Sequence, residues 1–161
     1  MSIALTVQKY LDQQQVPFEV VTHSHTGSSL RTADQAHIPA ERLAKAVLLE
    51  DDVEQSRYLM AVVPAANRVQ LGELSRQAGR RVHLASEEEV AWLFADCEAG
   101  AIPPVGPAYG LETIWEDSLV EQPDLYFEAG DHEHLVHLKS QDFMRLLPDC
   151  RHGAISRPRE Q

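Results

Sequence analysis

Apolar residues at Ile3, Val7, Tyr10 and Leu11 recur at helical spacing ahead of Pro17, so the chain is predicted to open with an amphipathic helix. Phe18 to Thr22 is rich in strand formers, and His23 to Ser29 reads as a polar loop. Thr32-Ala-Asp-Gln35 has the capping-box pattern of a short helix ending before Pro39, and Ala40 to Ala44 suits one more helical turn. Two apolar runs follow, Ala44 to Leu49 and Tyr58 to Val63, joined by a short acidic connector that favours an antiparallel pair. Tyr58 to Val63 is apolar at every position, as expected of a strand covered on both faces.

Beyond Pro64 the pattern predicts a helix over Leu71 to Ala78, a strand at Val82 to Leu84, and a second capping box at Ser86 opening a helix through Phe94. Gly100 to Pro107 holds too much Gly and Pro for a helix or a central strand. Glu112 to Glu116, Asp124 to Glu128 and Leu135 to Leu138 read as strands, Ser140 caps a helix through Leu147, and Pro148 to Gln161 is expected to fray. The sum is a single α/β domain over residues 1–147 with a 14-residue tail. Its sheet is expected to be mixed, mostly antiparallel and barrel-like, with helices around it.

Length and composition agree with this: 161 residues with 43% hydrophobic side chains are enough to bury a core without staples. The net charge of −11 argues against bulk coating of nucleic acid and leaves open a local basic cleft that meets one nucleic-acid end. It also predicts weak, salt-sensitive affinity for free nucleic acid. Cys97 and Cys150 match no paired motif, and Met1 to Tyr10 lacks a signal-peptide pattern, so a cytoplasmic protein away from membranes is expected.

Two features carry chemistry. Lys45 is the only charge in Leu43 to Leu49 and shares a strand face with Val47 and Leu49. Such a lysine either snorkels to water or is held in a cleft. The Gly100–Gly106 loop can bring backbone N–H groups close to a carbonyl oxygen. His25 and His134, at strand edges, and Asn67, after the buried strand, are candidates to line a cleft. The eight histidines converge on no metal-ligand pattern. Cys97, Thr22, Ser28 and Ser29 read better as packing and turn residues than as nucleophiles. Arg80-Arg81 is a short basic spot that either meets phosphates or is simply solvated.

Lys45 within Ala-Lys-Ala-Val-Leu-Leu, the Gly-x-x-x-Pro motif at Gly100–Pro104 extended to Gly106, and Tyr126-Phe-Glu-Ala-Gly130 fall in an order that resembles the YbaK/prolyl-tRNA-synthetase-associated domain family. The resemblance spans about residues 1–147. It implies trans-editing, the hydrolysis of the ester joining a small wrong amino acid to the 3′ end of a tRNA, with tRNA-Pro or a related tRNA as carrier. By resemblance Lys45 is the required residue, and Gly100 lies with it at the scissile carbonyl. Ile102, Pro104, Gly106, His25, Asn67, Ala129, Gly130 and His134 are expected to bind substrate. Pro103 and the segment Gly106-Pro-Ala-Tyr109 depart from the family pattern and leave the edited amino acid open. No cofactor or metal is expected, the acceptor end of aminoacyl-tRNA is the partner, a synthetase is a further partner, and the state is monomeric. A non-catalytic tRNA- or synthetase-binding module and a metal-dependent hydrolase built on the histidines are the rival readings.

Overall fold

The computed structural model describes residues 3–26 and 28–159. Expectations touching Met1, Ser2, Gly27, Glu160 and Gln161 lie outside the described residues. In chain order the first elements are α1 (Leu5–Gln14), β1 (Glu19–Thr22), α2 (Ser29–Gln35), β2 (Leu43–Asp51), β3 (Tyr58–Pro64), β4 (Asn67–Val69) and α3 (Leu71–Ala78). Then follow β5 (Val82–Leu84), α4 (Glu87–Leu93), β6 (Glu112–Glu116), β7 (Asp124–Glu128), β8 (His134–Lys139), α5 (Ser140–Met144), β9 (Arg151–Gly153) and β10 (Ser156–Pro158). Single 3-10 turns occupy Ala40–Arg42, Gly106–Tyr109 and Asp117–Glu121.

The main sheet runs β1-β8-β7-β2-β3-β6-β9, with β5 added to the far half of β2. It is mixed and mostly antiparallel: β2 pairs parallel with β7, β3 with β6 and β6 with β9, and its remaining ladders are antiparallel. The path ends at β1 and β9, which do not pair with each other among the described residues, so the sheet is open.

Strand β3 explains why one layer on each face is needed. Met60 and Val62 enter one core with Val7 and Leu11 of α1, while Leu59, Ala61 and Val63 enter another with Leu74 and Ala78 of α3. The alternation of side chains across a strand makes these two cores opposite faces of one ribbon. A third, smaller cluster seats Ala33 of α2 on Leu43, Ala65 and Leu135.

Three local expectations are corrected. The capping residue of α2 is Ser28, whose side chain accepts from the Arg31 N–H; Thr32 lies inside the helix, fully buried, and its hydroxyl is used elsewhere. Helix α5 stops at Met144, and Ser140 does not cap it, because the Ser140 hydroxyl donates to the Gln122 carbonyl instead. The segment expected to fray forms β9 on β6 and β10 on β4. It is held there by Ile155, fully buried beside α3, and by Glu116, which accepts from the N–H groups of Ile155 and Ser156 at 3.0 and 2.8 Å. Glu116 is itself 5% exposed, so these bonds are what make its burial tolerable.

This clasp is testable. Ile155→Ala leaves a cavity between α3 and the sheet and is expected to cost about 2–5 kcal/mol of stability in urea unfolding. A frayed C-terminus would predict no change.

Candidate functional site

The site is built where β2 begins. The Ala65 N–H donates to the Leu43 carbonyl at 2.7 Å, and Lys45 lies opposite Val63, so its backbone is fixed from one side by β3. On the other side Leu43 and Ala44 pair with Tyr126 and Phe127 of β7. Lys45 is half-buried, and burial first, then the like charges of Arg159 and Arg68, lower its pKa to about 8. The lysine thus remains largely ammonium at pH 7.

Lys45 opens on a narrow cleft whose lining also includes Ser29, Ala46, Gly100, Ile102 and Glu128. The enclosed volume is about 20 Å³. That is room for about one water-sized group, which needs roughly 10–15 Å³. Wider depressions beside α3 and α5 are open surface hollows.

The loop that forms the far wall is fastened to the turn between β7 and β8. The Glu98 N–H donates to the Gly130 carbonyl at 2.7 Å, the Gly130 N–H to the Ala101 carbonyl at 3.1 Å, and the His132 N–H to the Glu98 carboxylate at 3.0 Å. Gly100 has a φ of +81°, a conformation that side chains other than glycine rarely take, and a Cβ there would lie 3.3 Å from His132 Cε1. Hydrogen bonds to the turn, and not proline stiffness alone, hold this loop in place.

Beneath the cleft lies a buried polar cluster. Glu128 is 5% exposed and accepts from the Thr32 hydroxyl at 2.8 Å. Because Thr32 has one proton and gives it to Glu128, the Thr26 hydroxyl must donate in the Thr26–Thr32 bond. His132 Nε2 lies 2.5 Å from the Ala99 carbonyl and therefore carries a proton. Its other nitrogen, Nδ1, is 3.4 Å from Glu128 Oε1. That nitrogen has no hydrogen-bond partner among the described residues. Burial pushes the Glu128 pKa up, partly offset by the Thr32 hydrogen bond and by His132.

The structure therefore brings Lys45, Gly100 and Ile102 together and leaves the other expected positions outside the lining. Pro104 is a buried residue of the loop. Gly106 is needed for packing: a side chain there would collide with the Thr113 hydroxyl. Asn67 donates to Ser156 at 2.9 Å within the β4–β10 ribbon. Ala129 and Gly130 act through their backbones, Ala129 accepting from the Ala4 N–H at 2.7 Å. His134 binds Asp131 at 2.7 Å, and exposed His25 stands 3.8 Å from Glu98 with its ring edge toward His132. The histidine against the cleft is His132, because the turn places it, and not His134, over Glu128. Sequence reasoning does not single out Ser29, Glu128, Thr32 or His132 as site residues. The one available signal is a lone carboxylate in the apolar strand Leu125 to Glu128.

Arg80 is engaged by carboxylates of its own chain. It is 14% exposed, with Nε 2.9 Å from Asp51 and a two-pronged bond to Glu112. Burial pushes the Cys97 thiol up to about 12, which makes it a poor nucleophile. Among the described residues no group of three or more His, Cys, Asp or Glu is placed to hold a metal, and no helix is long and apolar enough to cross a membrane.

The raised Glu128 pKa has a defined sign. The folded state binds its proton more tightly than the unfolded state, so ionisation of Glu128 costs stability as pH rises from its ordinary range through the raised folded value. The stability of Glu128→Gln minus that of the unsubstituted protein is expected to increase with pH across this window in urea melts. A difference that is flat or falls with pH contradicts the assignment.

Comparison with known proteins gives a concordant result. A sequence-family profile described as the aminoacyl-tRNA editing domain matches residues 23–146, which include every residue lining the cleft. A hypothetical protein, APE2540, has a similar structure with a TM-score of 0.82 and 17% identity, covering 94% of this chain and 99% of its own. A protein described as a candidate trans-editing enzyme for prolyl tRNA synthetase is similar with a TM-score of 0.78 and 20% identity, covering 94% of this chain and 95% of its own. At these identities the two structures establish the fold, and the profile establishes the family: this chain belongs to the aminoacyl-tRNA editing domain family.

Proposed function

We propose that the protein hydrolyses the ester of a mischarged aminoacyl-tRNA, removing a small wrong amino acid from tRNA-Pro or a related tRNA. The observation that carries this reading is the half-buried Lys45 sharing a water-sized cleft with the Gly100 loop and Glu128. An aminoacyl ester is already activated, so its hydrolysis needs a positioned water and a stabilised oxyanion, with no strong protein nucleophile.

The Gly100 loop supports the second requirement. The Ala101 N–H donates to the Glu98 carbonyl at 3.1 Å within the loop, and among the described residues no backbone acceptor takes the N–H of Gly100 or of Ile102. In this reading those groups and the Lys45 ammonium face the carbonyl oxygen as charge develops on it. The substrate's own ribose hydroxyl helps orient the attacking water, and Glu128 lies on the lining of the same cleft. The cleft's volume suits hydrogen or methyl side chains and excludes larger ones by overlap, which discriminates better than a missing methylene does.

The test is a deacylation panel over alanyl, seryl, threonyl and cysteinyl esters. Lys45→Ala is expected to lower kcat/KM by about 100- to 1,000-fold on the preferred ester. Because Lys45 acts as a cation with a pKa of about 8, the enzymic rate divided by the spontaneous rate should fall as pH rises through that value. Retained RNA binding with no ester hydrolysed on any substrate would favour a non-catalytic module instead. Activity abolished by chelator yet indifferent to Lys45→Ala would favour a metal-dependent hydrolase.

A further inference from the structure

The protein carries a net charge of −11, yet three of its arginines stand together without carboxylate partners among the described residues. The described ion pairs of arginine involve Arg42, Arg57, Arg76, Arg80 and Arg145. Arg68, Arg157 and Arg159 are in none of these pairs, are exposed, and line one pocket of about 310 Å³ with Gln70 and Pro158. Glu73, the carboxylate that feels Arg157, is already bonded to Arg76 and Gln77.

Their placement is built by the β4–β10 ribbon. Arg68 lies directly opposite Arg157, and like charges in that position repel. Arg159 is two residues beyond Arg157 and donates its N–H to the Ala66 carbonyl at 3.0 Å. The ribbon leaves the end of β3 only a two-residue turn after Pro64, which pairs with Ala44 beside Lys45. Arg68 and Arg159 are close enough to Lys45 to act on its titration. A ribbon that sets two arginines face to face and adds a third is suited to an anion, and Lys45 of the neighbouring cleft lies within its field.

We propose that Arg68, Arg157 and Arg159 form a subsite for backbone phosphates of the single-stranded 3′ end of the RNA whose terminal ester enters the Lys45 cleft. This rests on the deacylase reading given above. The guanidinium groups offer paired N–H donors that match phosphate oxygens. Since the protein as a whole is acidic, these groups supply a local attraction that the net charge denies. The subsite accounts for how an acidic protein grips the acceptor end without coating the tRNA.

The experiment compares the unsubstituted protein with a triple Arg68→Ala, Arg157→Ala, Arg159→Ala variant and with the corresponding triple Lys variant, each checked by thermal melting. At pH 7 the Ala variant is expected to raise KM on alanyl-tRNA about tenfold with kcat little changed, and the Lys variant to recover part of that affinity. The slope of log(kcat/KM) against log salt should become shallower by about 0.7 for each phosphate that the variant no longer neutralises. Hydrolysis of 3′-O-alanyl-adenosine, which carries no phosphate, should be the same in all three proteins. Unchanged KM and salt slope, or an equal impairment on the nucleoside ester, overturns the proposal. Binding of a CCA-ended RNA oligonucleotide is measured separately. If hydrolysis fails on every ester while this binding still depends on the arginines, the deacylase reading falls and the subsite stands. If inorganic phosphate competes as well as the oligonucleotide at equal phosphate concentration, the site is a simple anion site and the proposal fails.

Discussion

Strand β2 is hydrogen-bonded to three others, β3 along most of its length, β7 at its start and β5 at its end. Everything about the candidate site depends on this shared strand. A lysine at the third position of an ordinary edge strand would turn its ammonium into water, since the four-carbon stem is long and flexible. Here neighbours on both sides keep the backbone of Lys45 in one register, and the loop at Gly100 closes over the space in front of it. The cost of partial burial appears as a lowered pKa, and a charge held in such surroundings acts more strongly on a bound group than one in water does.

The cleft holds its charges apart. The charges that act on the Lys45 titration are Arg159 and Arg68, and both disfavour its protonation. Glu128, on the same lining, is directed instead toward Thr32 and His132. A direct Lys45–Glu128 ion pair would fill the site with its own salt bridge and blunt both groups. Keeping the cation and the Glu128 carboxyl on separate partners leaves each available to a third molecule.

The loop and the C-terminal ribbon give the site its two margins. Both are fixed by contacts distant in sequence: Glu98 to the Gly130–His132 turn, and Ile155 and Ser156 to Glu116. Family membership implies that an aminoacyl-tRNA is bound; between these margins the narrow part has room for about one water-sized group and the open part is basic.

The hydropathy pattern by itself determined the central hairpin, α3, β5, α4 with its Ser86 capping box, and strands β6 and β7, because each is set by periodicity or capping within a few residues. The isolated charge at Lys45 and the glycine at 100 were legible for the same local reason. Tertiary structure decided what depends on partners far along the chain. It recruited the C-terminal segment as strands through Ile155 and Glu116, moved the cap of α2 from Thr32 to Ser28, and chose His132 over His134. A hydroxyl, a carboxylate or an imidazole has several possible partners, and only the folded chain determines which one comes within hydrogen-bond distance.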